Sequence, residues 1–185
     1  MAFCSLIRIF ALMNQLRRWL VWLSRWHRSR GFGIQSPTDY AFVRYVVNEQ
    51  WPYYAYDELK DDEWLVQKLG RLYFRLANWR QPQHMVADSY QRYWQAGCRR
   101  MRFTAEQETP FELARVEVED QQGWQSLLAK CDSRSVVVVE GIWRDKQQWL
   151  RMRDDERVVI TFDLYYCAIV LFDKKRYRHH YIINY

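Results

Sequence analysis

The sequence predicts an α/β fold: a doubly wound sheet closed by an antiparallel C-terminal hairpin, with an extra helical layer in front. Three observations predict it. Before position 84 the apolar residues recur at intervals of three and four, and from there on the rhythm changes to short apolar or alternating runs with amphipathic pieces between them. The unbroken run Val136–Val139 suits a central parallel strand covered on both faces, because such a strand loses its in/out alternation. Strand and helix signals alternate as far as about residue 153, and two or three strand signals then follow in succession.

Composition bounds the reading. A chain of 185 residues has the size of one domain and can bury a core without disulfides or metals. Nearly half of it is hydrophobic and it holds only six glycines and four prolines, the opposite of a disordered composition. Cys4, Cys98, Cys131 and Cys167 lie far apart and form no CxxC pair, so neither a zinc site nor a disulfide framework is expected, and a reducing cytosol fits best. The net charge of +6 is not spread along the chain. Residues 1–38 hold six arginines and no acid, whereas 39–185 balance 22 basic against 22 acidic groups. The basicity belongs to an N-terminal arm, and no specific nucleic-acid partner is expected for the body. Arg8, Arg17-Arg18 and Arg25 interrupt the apolar stretches of that arm, so no run reaches the roughly eighteen residues that cross a bilayer. Neither the apolar centre nor the cleavage site of a secretory signal is visible, and the expected location is cytoplasmic, with the inner membrane face as a variant. Met13 offers an alternative start of translation.

The elements follow in order. Leu6, Ile9, Phe10, Met13, Leu16, Leu20 and Leu23 share one side of a helix over 5–28, with Trp19, Trp22 and Trp26 on an adjoining face. Gly31-Phe32-Gly33 reads as a flexible joint, because no strand precedes it and a dinucleotide loop would need a third glycine. Ser36-Pro37 caps a second helix that runs to about Glu49, a loop covers Trp51–Tyr56, and a third helix covers 61–79 until Pro82 stops it. Strands are expected at 84–88, 100–103, 113–118, 135–139, 157–163, 167–173 and 180–184, and helices at 89–98, 121–131 and 144–153. Residues 1–82 thus form a basic helical layer and 83–185 the sheet, in one cooperative domain.

Two segments carry a family likeness: Arg30–Pro37 (RGFGIQSP) leading into a Tyr/Phe-rich helix, and Phe162–Tyr185 (FDLYYCAIVLFDKKRYRHHYIINY) at the end. Arg71–Pro82 (RLYFRLANWRQP) and the Ser135–Trp143 strand with its Trp149 helix share in it. Together they resemble short bacterial proteins classed with the class I S-adenosylmethionine-dependent methyltransferases, which have an HGxHSP-like N-terminal element and a TxDLYxxGIxFF hairpin. The resemblance implies a Rossmann-like sheet, S-adenosylmethionine as cofactor, and a cleft lined by Asp88, Glu106 and Glu140. In that family the first strand ends in an acidic residue followed by glycines, since a chain so close to the cofactor leaves no room for Cβ atoms. Here His84–Trp94 contains no glycine, and Tyr90, Arg92 and Tyr93 stand where small residues belong. Residues 104–134 also hold space for only about one strand–helix unit, so at least one such unit is expected to be missing. Both departures point to a degenerate cofactor site and a pseudoenzyme.

Each candidate has an ordinary alternative. Asp88 also reads as the N-cap of the 89–98 helix, Glu106 as a polar-loop acid and Glu140 as a solvated loop acid at a strand end. Asp163, Tyr165 and Tyr166 read as a structural turn. His179 and His180 are adjacent on a strand and point to opposite faces, so no metal is expected there. The helix over 5–28 either packs its leucine face on the body or on a second copy, or lies in the headgroup region of an anionic membrane with Trp19, Trp22, Trp26, Arg18 and Arg25 as contacts. A non-catalytic interaction or scaffold role with an unidentified protein partner, or self-association, is the rival to methyl transfer.

Overall fold

The valine run is the centre of the sheet. β4 (Val136–Glu140) pairs in parallel with β3 (Leu113–Glu117), in a register that sets Leu113 against Val136 and Glu117 against Glu140. On its other side β4 meets β6 (Cys167–Leu171) antiparallel, and β6 meets β5 (Ile160–Asp163) antiparallel. β7 (His179–Ile182) lies parallel to β5 at the edge, so the five strands run β3-β4-β6-β5-β7. β1 (His84–Val86) and β2 (Arg102–Thr104) form a two-stranded parallel sheet, with β1 beside β3. The computed structural model describes residues 15–28, 31–60, 63–107 and 109–185.

Both faces of the larger sheet are covered, which is why β4 needs no polar alternation. Val136 and Val138 face the side that packs against α4 (Trp64–Arg80) and α5 (Gln91–Gly97); Val137 and Val139 face Trp124, Leu127 and Leu128 of α6 (Gln121–Lys130) and Trp149 and Met152 of α7 (Lys146–Asp154). Leu69, Leu72, Tyr73 and Leu76 put the buried face of α4 on that first side, and Gln81 in the left-handed conformation ends the helix before Pro82. α5 crosses α4 closely because position 97 lacks a side chain; a Cβ there would collide with the Phe74 carbonyl oxygen.

The helical layer is more broken than the periodicity predicts. The helix expected from Pro37 to about Glu49 is α2 (Pro37–Phe42) followed by a π-helical segment (Val43–Val47), and the loop expected over Trp51–Tyr56 runs into a short α3 (Ala55–Glu58). The Ser36 hydroxyl accepts the Asp39 N–H and caps α2 as expected. Asp39 itself is buried, ion-paired to Arg176 and accepting the Tyr181 hydroxyl at 3.1 Å, which ties α2 to the C-terminal strands. The first helix is seen over 15–25, called α1, and ends in a 3-10 turn Trp26–Arg28. Leu6, Ile9, Phe10 and Met13 lie outside the described residues.

One further difference concerns the sheet. The last strand does not extend the hairpin antiparallel to its neighbour; β6 has inserted between β4 and β5, so β7 can pair only with the free edge of β5 and does so in parallel. The connection from β2 to β3 holds no helix among its described residues, and residues 104–134 carry one described strand–helix unit, β3 with α6, as the length of that stretch predicts. No helix among the described residues is long and apolar enough to cross a membrane.

Candidate functional site

Leu113, Arg115 and Glu117 alternate to one face of β3, and Glu140 ends β4 on the same face, opposite Cys167 of β6. A guanidinium on that face is half enclosed by α4 and α5 and must find carboxylates close by. Arg115 donates from Nε to Glu140 at 2.7 Å and from a terminal nitrogen to Glu117 at 2.6 Å, and its other terminal nitrogen lies 3.8 Å from Asp88. Glu140 also accepts the Tyr73 hydroxyl at 2.6 Å and the Tyr90 hydroxyl at 3.2 Å. Asp88 accepts the Tyr90 N–H at 2.8 Å and the Trp94 indole N–H at 3.0 Å. Asp88 therefore fixes the turn into α5 rather than its N-cap position, which Tyr90 takes without a side-chain bond. The Tyr73 and Trp94 rings stack at 4.5 Å, and the Arg115 guanidinium lies 5.1 Å from the Tyr90 ring.

Two of the three acids predicted for the cleft are thus brought together and one is not. Asp88 and Glu140 share the Arg115 network at the ends of β1 and β4. Glu106 lies on the exposed loop after β2, where its carbonyl accepts the Thr104 hydroxyl, outside that network. Arg115 and Tyr73 were missed by sequence reasoning. The signal was an arginine and a glutamate two apart in LARVEV, on the same face as the buried Leu113.

The electrostatics follow from enclosure. Burial raises the Asp88 carboxyl above its usual range, against the opposing pull of the Tyr90 and Trp94 hydrogen bonds and of Arg115. Burial, reinforced by Glu140, pushes the Tyr73 and Tyr90 phenols up, and burial does the same to the Cys167 thiol, which leaves it an inert core group. The carboxylates already accept internal donors and the phenols are held protonated, so the cluster offers structural hydrogen bonds rather than a poised general acid or base.

The arginine face of α1 is the second feature. Arg18, Val21, Arg25 and Arg28 turn inward, while Leu16, Trp19, Leu20, Trp22, Leu23 and Trp26 are each more than half exposed. The expectation that the leucine face packs on the body is corrected for these residues. Arg25 pairs with Asp163 at 2.8 Å, Arg18 lies 3.8 Å over the Trp64 ring and Arg17 lies 4.5 Å over Trp143. These ion-pair and cation–π contacts decide which side of the helix docks. Asp163 keeps its turn role as well, accepting the Tyr165 N–H at 2.9 Å.

No protein-family model, curated protein or solved structure shows significant similarity to this chain.

A half-buried arginine serving three carboxylates makes a specific expectation. The folded state holds the Asp88 proton more tightly than the unfolded chain, so ionised Asp88 opposes folding as pH rises through its native pKa, and Arg115 limits that cost. Arg115→Met is expected to lower stability by roughly 3 kcal/mol at pH 7 and by clearly less at pH 4, where the stranded carboxyls can protonate. Urea melts at both pH values check this, and an equal loss at each contradicts it.

Proposed function

We propose that this chain is a class I methyltransferase-like protein that has become a non-catalytic binding protein. The observation that carries the reading is the Asp88–Arg115–Glu140 network with Tyr73, Tyr90 and Trp94. In α/β sheets of the Rossmann-like kind the ligand crevice opens beyond the carboxyl ends of the parallel strands. Here β3, β4 and β5 run in a common direction with β6 reversed, β1 and β2 run parallel to each other beside β3, and the network joins Asp88 after β1 to the ends of β3 and β4. S-adenosylmethionine does not fit the residues present: Asp88 and Glu140 spend their oxygens on internal donors, Tyr90 is buried on the spot where the family has glycine, and Arg115 sets a positive charge in the crevice. The loss of glycines and the missing strand–helix unit support the same conclusion.

A second reading, of where the protein acts, is favoured by α1. A helix that docks its arginines inward and presents leucines and tryptophans outward needs an apolar covering. We propose that an anionic bilayer surface supplies it. Arg25 is neutralised by Asp163, but Arg17 and Arg18 lie on neutral rings and keep their charge for lipid phosphate. The excess charge of the whole chain lies in this arm, and tryptophan favours the interface.

Each half has its own measurement. Titration of the purified protein with S-adenosylmethionine and S-adenosylhomocysteine is expected to give no saturable rise in melting temperature up to about 1 mM, and a saturable rise overturns the non-catalytic reading. Flotation with phosphatidylglycerol vesicles is expected to carry the wild-type protein, and Leu16→Ser/Leu20→Ser/Leu23→Ser to reduce the bound fraction roughly tenfold. Equal flotation of the two proteins, or none of either, rejects the bilayer.

A further inference from the structure

α4 places Lys68, Arg71 and Arg75 at intervals of three and four, on one face and next to one another, where like charges repel. Beside them lies a cavity of about 300 Å³, also lined by Asn48, Glu49 and Tyr185. None of the three cations has a carboxylate partner among the described residues. Arg75 is buried and donates only to neutral acceptors: the Val46 and Val47 carbonyls at 2.7 and 2.9 Å and the Tyr56 and Tyr185 hydroxyls at 3.2 Å. Arg71 lies 4.9 Å over the Tyr56 ring, and its Nε is buried without an acceptor. The Asn48 side-chain nitrogen is likewise buried without one. Lys68 rests 4.2 Å from the Tyr185 ring and 5.4 Å from Trp64.

Burying a charge is costly unless an opposite charge or a strong acceptor meets it, and buried donors left unmade carry their desolvation cost. Among the described residues Glu49 is the only acid lining the cavity, and its carboxylate accepts the Tyr53 hydroxyl at 2.8 Å. Among the described residues that line the cavity three cations face one acid, an excess of positive charge. We infer that this cavity binds a phosphate monoester dianion, its oxygens held by Lys68 and Arg71 with Arg75 behind them and its organic part toward Trp64. A planar guanidinium stacked on a ring keeps its edges free for two phosphate oxygens, which suits Arg71 to the task. Trp64 forms the rim, and Arg18 of α1 lies on its ring.

The chemistry gives the site a pH signature. The charged and titratable groups facing Lys68 are Arg71 and Arg75 on its own helix, Glu49 across the cavity, Arg18 on α1, Cys167 on β6 and the Tyr185 ring. Burial first, then Arg75, pushes the Lys68 ammonium down to about 8. A monoester is already a dianion above its second pKa of about 6, so between pH 7.5 and 9.5 only the protein loses charge. Binding is therefore expected to weaken across that window as Lys68 is deprotonated.

Glycerol phosphate in solution and vesicles containing phosphatidic acid are the two probes, since a phosphate monoester comes either free or as a lipid headgroup. Calorimetry at pH 7.5 with glycerol phosphate reads the first source. Flotation with phosphatidic acid vesicles, against phosphatidylglycerol vesicles of equal charge, reads the second. Saturable binding to either probe is expected, weakened about tenfold or more by Arg71→Gln and tightened by Glu49→Gln, which removes the one opposing charge but keeps an acceptor for Tyr53. Raising the pH to 9.5 is expected to weaken wild type roughly tenfold and Lys68→Arg far less, because arginine stays charged. The Glu49→Gln variant keeps the test decisive even if Arg71→Gln fails to fold. Absence of saturable binding to both probes, or affinities unmoved by Glu49→Gln and by pH, overturns the site.

Discussion

Arg115 projects from the third strand into the space between the sheet and two helices, where a guanidinium is stable only among carboxylates. That one requirement organises the carboxyl end of the sheet. Glu140 closes the central strand against it, Glu117 meets it from its own strand, and Asp88 approaches from the first strand while fixing the turn into α5. The two tyrosines and the tryptophan then pack around the pair and supply the remaining donors. A buried ion pair of this kind is poor evidence of stability by itself, since desolvation offsets most of its attraction. Its consequence is spatial: the ends of three strands are joined through side chains of the chain itself.

The same logic governs the outer surface. α1 is held by arginines on aromatic rings and on Asp163, contacts that fix its orientation with its apolar side outward. Arg18, stacked on Trp64, also connects this helix to the cationic face of α4. The arm and the basic cavity thus adjoin, and a phosphate-rich surface would meet both.

Much of the fold was legible in the sequence. The valine run, the amphipathic period over 61–79 and the alternation of short strands with helices each correspond to an element of the expected type. Asp88 and Glu140 stood out because they end strands, and strand ends converge. What stayed hidden depended on partners far away in the chain. LARVEV alternates, but alternation does not say which face is enclosed, and only α4 and α5 turn Arg115 inward. The leucine side of α1 looked like the docking side because leucine usually is; Trp64, Trp143 and Asp163, distant in sequence, reverse it. The parallel pairing of the last strand follows from β6 taking the place between β4 and β5, which no local pattern announces.

The dependence of this end of the sheet on Arg115 and Glu140 acting together is most directly measured by a double-mutant cycle. Stabilities of wild type, Arg115→Met, Glu140→Gln and the double variant at pH 7 give the coupling without reference to any ligand. A favourable coupling of about 2 kcal/mol is expected, with the double variant recovering part of what Arg115→Met loses. A coupling near zero would mean that the two side chains meet without depending on each other, and that Arg115 does not organise this end of the sheet.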